Sequence, residues 1–441
     1  MKIMKFGGTS VGRPERMHQV KDLITRGDEP TIVVLSALSG TTNALVGIGE
    51  ALASGNKALA KERIDTLHAH YLAFYPALLQ TAEAKAKAEE IIKEHFEFLN
   101  ILLKISFNEA INRDILAQGE LLSTKLFYTL LGELQIPAVF LPALDFMSID
   151  ENSEPELPKI SEKLKAILAQ YPNERLFITQ GYICKNHRNE VDNLKRGGSD
   201  YTASLVAAAI NASVCEIWTD IDGMHNNDPR VVDRTRPIAE MSFDEAAELA
   251  YFGAKILHPA SIWPAQLHNI PVKLLNTMQP DAGGTLIKAA VETTGVKAIA
   301  AKDGITAIKI KSSRMLLAYG FLRRIFEVFE KYKTPIDMIT TSEVAVSVTI
   351  DDLSHLEQIQ AELQSFGTVE IDRNQAIICV VGNKVAETKG ALQSVLDSLI
   401  DIPVRMVSFG GSKHNVSILV DAQYKTQALK SLNEGVFDWS N

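Results

Sequence analysis

Short apolar runs alternate with helical patterns over the first two-thirds of the chain. The runs are KIMKF, TIVVLS, AVFLPA, RLFITQGYI, VCEIWTD and PVKLLNT. Between them lie stretches of helical period, among them DILAQGELLSTKLFYTLLGEL and DYTASLVAAAINA. Strand and helix in alternation predict an α/β domain, a mostly parallel open sheet sandwiched by helices. Residues from about 57 to 110 are rich in Ala, Lys, Glu and Leu and predict a helix-rich insertion, its charges forming a solvated face.

The pattern changes near 285–300, where QPDAGGTLIKAAVETTGVKAIAAKDG is turn-rich and lacks a long periodic element. Beyond it the chain repeats itself loosely. One unit contains GFLRRIFEVFEKYKTPIDMITTSEVAVSVTID and the other GALQSVLDSLIDIPVRMVSFGGSKHNVSILVD. Each gives a glycine, an amphipathic helix, a proline-led strand, a loop and a second strand. Two copies of a small βαββ-type unit, rather than two unrelated α+β hairpins, predict a paired binding or regulatory module.

With 441 residues, the chain is long enough for two or three domains. Its formal net charge of −9 argues against a nucleic-acid partner, which needs a basic face. No apolar stretch is long enough to span a bilayer. The first residues lack the pattern of a secretion signal, and the three cysteines, Cys184, Cys215 and Cys379, are widely spaced. Buried thiols in a reducing, cytoplasmic setting are expected.

Several stretches carry candidate chemistry. In MKIMKFGGTS, Lys5 closes the first strand and Gly7 and Gly8 follow. Glycines and a lysine suit a phosphate seat, but the common phosphate loop has its lysine after the glycines, so a different nucleotide site and a plain tight turn both fit. Ser36, Ser39, Thr41 and Thr42 crowd a strand-to-helix junction, the sheet edge where open α/β folds bind ligands. Glu120 reads as a carboxylate at a glycine-led helix start, suited to the helix dipole or to a substrate ammonium group. The richest stretch is LKRGGSDYTASLVAAAI. Arg196 offers a fork for a carboxylate, the glycines before Ser199 let a ligand approach the backbone, and Asp200 is placed to orient a lysine. Asp220 and Asp222 fit turn formation or, with Arg230, a nucleotide pocket; Lys255 fits the far side of a moving phosphoryl group, and His258 before Pro259 reads as structural.

In this order, KFGGTSV, SALSGTTN, GELLS, RGGSDYTA, WTDIDG, DPR, FGAKILHPA and AGGTLI resemble the aspartokinases of the amino-acid kinase superfamily. The tail resembles tandem ACT modules and is most similar to the monofunctional, lysine-sensitive class. The resemblance implies a catalytic domain over 1–290 with the amino-acid kinase fold. It implies a regulatory region over 296–441 with two ferredoxin-like ACT modules, at about 305–376 and 377–441; the strand near 296–303 is a candidate to complete the second.

The implied reaction is ATP-dependent phosphorylation of the L-aspartate side-chain carboxylate, with ATP arriving as its Mg²⁺ complex and no dedicated protein metal ligand. Carried over by motif, Lys5, Asp200 and Lys255 are catalytic. Lys5, Gly7, Gly8, Thr219, Asp220, His225, Arg230 and Lys255 bind ATP. Ser36, Thr42, Glu120, Arg196 and Ser199 bind aspartate. Met315, Gly320, Phe321, Leu322, Asp337, Thr341, Ser342 and Glu343 are the expected effector site, for lysine or, second, threonine. A second copy of the chain is the expected partner, joined through the ACT modules. Two positions depart from the family pattern: Lys195 replaces a common glycine, and His225 a common tyrosine. The rival readings are a non-catalytic amino-acid sensor, which Lys5, Asp200 and Lys255 argue against, and an acetylglutamate, glutamate or uridylate kinase.

Overall fold

The apolar runs at the start of the chain become the centre of a sheet. The computed structural model describes residues 1–195, 197–253, 257–312 and 319–439. The chain begins with β1 (Lys2–Phe6), α1 (Gly8–Val11), α2 (Pro14–Ile24), β2 (Thr31–Leu35) and α3 (Thr41–Ala53). The helix-rich insertion forms α4 (Lys57–Leu78) and α5 (Ala82–Leu102), and α6 (Glu109–Glu133) follows. Asn56, Thr81 and Asn108 cap these three helices, each accepting a backbone N–H of the first turn. Next come β3 (Val139–Leu141), α7 (Ala143–Phe146), α8 (Leu157–Leu168), β4 (Leu176–Gln180), β5 (Ile183–Lys185), β6 (Val191–Asn193), α9 (Gly198–Ile210) and β7 (Cys215–Thr219). After β8 (Glu240–Ser242) and α10 (Phe243–Tyr251), α11 (Pro259–Leu267), β9 (Val272–Asn276) and β10 (Thr285–Lys288) complete the first two-thirds.

By packing, the chain divides into one unit of Met1–Met224 with Leu257–Ala289 and another of His225–Ile256 with Ala290–Asn441. In the first unit the strand order is β3-β4-β2-β1-β7-β9-β10. Pairs β1/β2, β1/β7, β2/β4, β3/β4 and β7/β9 are parallel, and β9/β10 is antiparallel. Every residue of β2 and β4 is buried, as a parallel sheet covered on both faces requires. One large apolar core joins β1 and β2 to the insertion through Met4, Phe6, Tyr71 and Phe96.

The second unit carries a six-stranded antiparallel sheet. Its strands are β11 (Gly295–Lys311), β12 (Ile339–Thr341), β13 (Ala345–Ile350), β14 (Thr368–Asn383), β15 (Val404–Phe409) and β16 (Asn415–Asp421), in the order β12-β13-β11-β14-β16-β15. Helices α12 (Phe321–Lys331), α13 (Leu356–Leu363), α14 (Ala391–Asp397) and α15 (Lys425–Val436) accompany it. The two halves of β11 serve different neighbours: Thr306–Lys311 pairs with β13, and Gly295–Lys302 pairs with the part of β14 that adjoins β16. Two apolar cores result, one around Ile308, Phe321 and Val348, the other around Ile378, Val395 and Leu429.

Candidate active site

The site grows from the carboxyl ends of β1, β2 and β7, strands adjacent in the sheet. Lys5, near the end of β1, is 9% exposed, and its Nζ lies 2.6 Å from Asp200 Oδ1. Asp200 stands in the first turn of α9, a helix that begins at Gly197 with φ 66° and has no side-chain cap. The Asp200 N–H bonds the Gly197 carbonyl at 3.1 Å, whereas among the described residues no side chain caps the N–H groups of Gly198 and Ser199, which line the cleft described next. Gly7 leaves space for the lysine head: a Cβ there would sit 3.3 Å from Lys5 Nζ.

A cleft of about 560 Å³ opens here, lined by Gly8, Thr9, Ser36 to Gly40, Thr42, Glu120, Tyr182, Gly198, Ser199, Thr219 and Asp220. Glu120 is 4% exposed. Its Oε1 accepts the Ala37 N–H at 3.2 Å, while Oε2 is buried with no partner among the described residues. Burial pushes its carboxyl up to about 7. The sequence reading of Glu120 as a helix start is corrected: it lies in the middle of α6, so the helix dipole does not account for it. Gly119 is instead a contact glycine, since a Cβ there would meet the Ala37 Cβ at 2.8 Å.

The other expected residues divide. Ser36, Thr42, Ser199, Gly8, Thr219 and Asp220 line the cleft with Glu120. His225 and Arg230 fall in the second unit. There His225 Nδ1 lies 3.2 Å from Thr235 Oγ1, and Arg230 is forked onto its neighbour Asp228 at 2.9 and 2.8 Å. Arg196, Lys255 and Met315 lie outside the described residues. Lys195 is exposed and donates to Ser153 Oγ at 3.1 Å. His258 caps α11 through Nδ1, a structural role. Cys184, Cys215 and Cys379 are free and buried.

The expected effector residues also divide. Gly320 starts α12 with φ 76°, and Phe321 packs into the core against Phe366. Leu322 is 38% exposed. Thr341, Ser342 and Glu343 are exposed at the turn from β12 to β13, with the Ser342 N–H bonded to the Ala345 carbonyl. Asp337 is buried and already bound by Tyr251 and Lys302.

Tyr182 was not singled out from the sequence. It follows Gly181, adopts φ 67° and lines the cleft. Neither composition nor period marks a tyrosine held in the left-handed region.

The fold and motif order match known proteins. Residues 1–276 match the amino acid kinase family and 378–436 an ACT domain. The lysine-sensitive aspartokinase 3 of Escherichia coli is 33% identical over 99% of both chains. The chain belongs to the aspartokinases. Two solved structures of Escherichia coli aspartokinase III cover 99% of this aspartokinase and 100% of their own chain at 33% identity. One, in the R-state with aspartate and ADP, has a TM-score of 0.84; the other, in the T-state with lysine and aspartate, has 0.83. This aspartokinase is thus a kinase with ACT modules, and among its described residues no helix is long and apolar enough to cross a membrane.

Proposed function

We propose that the cleft binds L-aspartate and the phosphoryl end of ATP, and that the γ-phosphoryl group passes to the aspartate β-carboxylate. The products are 4-phospho-L-aspartate and ADP. The observation that carries this reading is the Lys5–Asp200 pair at the end of β1, beside a cleft floored by a buried carboxylate with one open oxygen. The β-carboxylate is deprotonated at neutral pH, so no general base is needed, and the chemistry rests on positioning and charge neutralisation. Lys5 neutralises charge on the moving phosphoryl group, and Asp200 holds its ammonium in place. Lys255 completes the neutralisation from the other side. Glu120 takes the aspartate ammonium at Oε2, and Arg196 with Ser199 takes a substrate carboxylate. Ser36 and Thr42 close the aspartate side, and Gly7 and Gly8 admit the phosphates. Thr219 and Asp220 with His225 and Arg230 serve the nucleotide.

Mg²⁺ enters with ATP. Among the described residues no group of three His, Cys, Asp or Glu side chains is placed to hold a metal ion, and Mg²⁺ suits phosphate oxygens and waters. The catalytic domain spans 1–290 and the two ACT-like modules fill 296–441 in this reading, with lysine as inhibitor. Its support is the match to an enzyme named lysine-sensitive and to a T-state structure with lysine. Assembly into a dimer or larger oligomer through these modules agrees with exposed Ile339, Val344, Val404 and Phe409 on and beside their edge strands. A cytoplasmic setting fits the free, buried thiols.

The test is ADP release from Mg-ATP and L-aspartate with and without millimolar L-lysine, beside acetylglutamate, glutamate and uridylate as acceptors. Aspartate-dependent release that falls with lysine is expected. Release with another acceptor and none with aspartate would overturn the substrate assignment.

A further inference from the structure

Asp337 is a buried carboxylate of the second unit held on both its backbone and its side chain. It precedes β12, and its N–H donates to the Thr349 carbonyl at 2.9 Å. The next residue, Met338, donates its N–H to Thr349 Oγ1 at 2.9 Å. The side chain, 1% exposed, is therefore aimed by β13 into the protein. There Oδ1 accepts the Tyr251 hydroxyl at 2.9 Å and Lys302 Nζ at 2.7 Å. Oδ2 is buried and has no hydrogen-bond partner among the described residues.

Lys302 sits where the β11 register shifts, and among the described residues its ammonium has three neighbours. Besides Asp337 it lies 2.9 Å from Asp351 Oδ2 and 4.7 Å from the centre of the Tyr251 ring. Asp351 is 42% exposed. The cluster thus holds two carboxylates and one ammonium, with one carboxylate oxygen buried and open. A buried, unpartnered carboxylate oxygen is costly and calls for a further donor, best a charged one.

We propose that Lys302 is a tethered ammonium group that occupies Asp337 in the effector-free protein and competes there with the ammonium of an amino-acid effector. This rests on the reading that the effector binds at Asp337. An arriving ammonium takes Asp337, and Lys302 withdraws to Asp351, the more exposed of its two carboxylates. One ammonium replaces another, so the buried charge changes little. Lys302 thereby sets effector affinity: the site binds only in the fraction of molecules in which Lys302 has moved away.

The test is L-lysine binding to the full chain by calorimetry, in wild type and in Lys302→Met. Removing the competitor tightens binding by about tenfold or more, in inverse proportion to the fraction of wild type in which Lys302 has moved away. Lys302→Gln, which keeps a neutral donor on a shorter stem, tightens it less and serves if the Met variant folds poorly. Wild type that does not bind lysine beside a Lys302→Met variant that does supports the competitor and overturns only the assignment of lysine as the wild-type effector. Binding unchanged or weakened in both folded variants, or absent from all three proteins, overturns the proposal.

Discussion

Lys5 on β1 and Asp200 on α9 stand far apart in sequence, yet their charged atoms meet at 2.6 Å at the end of the central strand. The pair is shielded on both sides, with side-chain exposures of 11% and 19%. Screening by solvent is weak there, so the carboxylate fixes the lysine head more firmly than a surface ion pair would. Lys5→Ala should lower kcat by about 10²–10³-fold, as loss of a transition-state charge partner does, with a smaller change in KM for aspartate. Asp200→Asn should lower kcat less, and the double variant should be no worse than Lys5→Ala alone, because both act through one ammonium. Steady-state kinetics of the three variants checks this; additive losses would separate the two roles.

Glu120 predicts a pH dependence with a definite sign. Its carboxyl is raised from 4.5 to about 7 by burial, so it is largely neutral in the free protein below pH 7. An aspartate ammonium needs the ionised form. Aspartate affinity should therefore fall as pH drops below about 7, with little change in ATP affinity. For stability the sign is opposite: a raised carboxyl favours the folded state below pH 4.5, and that contribution is lost as pH rises to about 7. Glu120→Gln should thus stabilise the free protein at pH 8 while weakening aspartate binding by about 10- to 100-fold, the loss of a charged hydrogen bond. Thermal melts with and without aspartate across pH read both effects.

Much of this was legible in the sequence, and the exceptions have physical causes. The buried strands were readable because a parallel sheet covered on both faces demands continuous apolar runs, and TIVVL and LFITQ supply them. Glu120 was misplaced because Gly119 looked like a helix start, whereas the glycine is there to let α6 approach Ala37. Of the run PIDMIT only Ile339 and Thr340 join a strand, which continues to Thr341, since Asp337 and Met338 bind Thr349 partly through its side chain. That His225–Ile256 packs with the tail could not be seen locally, because the contacts that draw it there, such as Glu245 with Lys297, span long sequence distances.

Gly181 is the glycine whose replacement should damage the site most directly. A Cβ there would fall 2.3 Å from both Cβ and Oγ of Ser199, which lines the cleft. Gly181→Ala should displace the start of α9, raise KM for aspartate and cost about 1–3 kcal/mol of stability, the usual range for overpacking. Urea denaturation beside kinetics checks it; wild-type values for both would show that α9 yields freely.

His95 gives an acid-sensitive joint between α5 and α6. It is buried, with Nδ1 2.6 Å from Gln118 Oε1 and Nε2 2.9 Å from Lys125 Nζ. Burial, then the Lys125 charge, lowers its pKa from 6.5 to about 4. The neutral ring donates to Gln118 and accepts from Lys125. A lowered histidine stabilises the fold above pH 6.5 and loses that contribution as pH falls towards 4. His95→Gln should therefore flatten the fall in melting temperature between pH 6.5 and 4, measured on the chain without ligands.

An acyl phosphate made from aspartate in this cleft can be caught chemically. The most direct measurement is to run wild type and Lys5→Ala with Mg-ATP and L-aspartate, trap the product with hydroxylamine and count aspartyl hydroxamate against ADP. Wild type should give equal amounts of the two and none without aspartate, and Lys5→Ala should show a deep loss of both. ADP without hydroxamate from wild type, or full hydroxamate yield and rate from Lys5→Ala, would contradict this reading of the cleft.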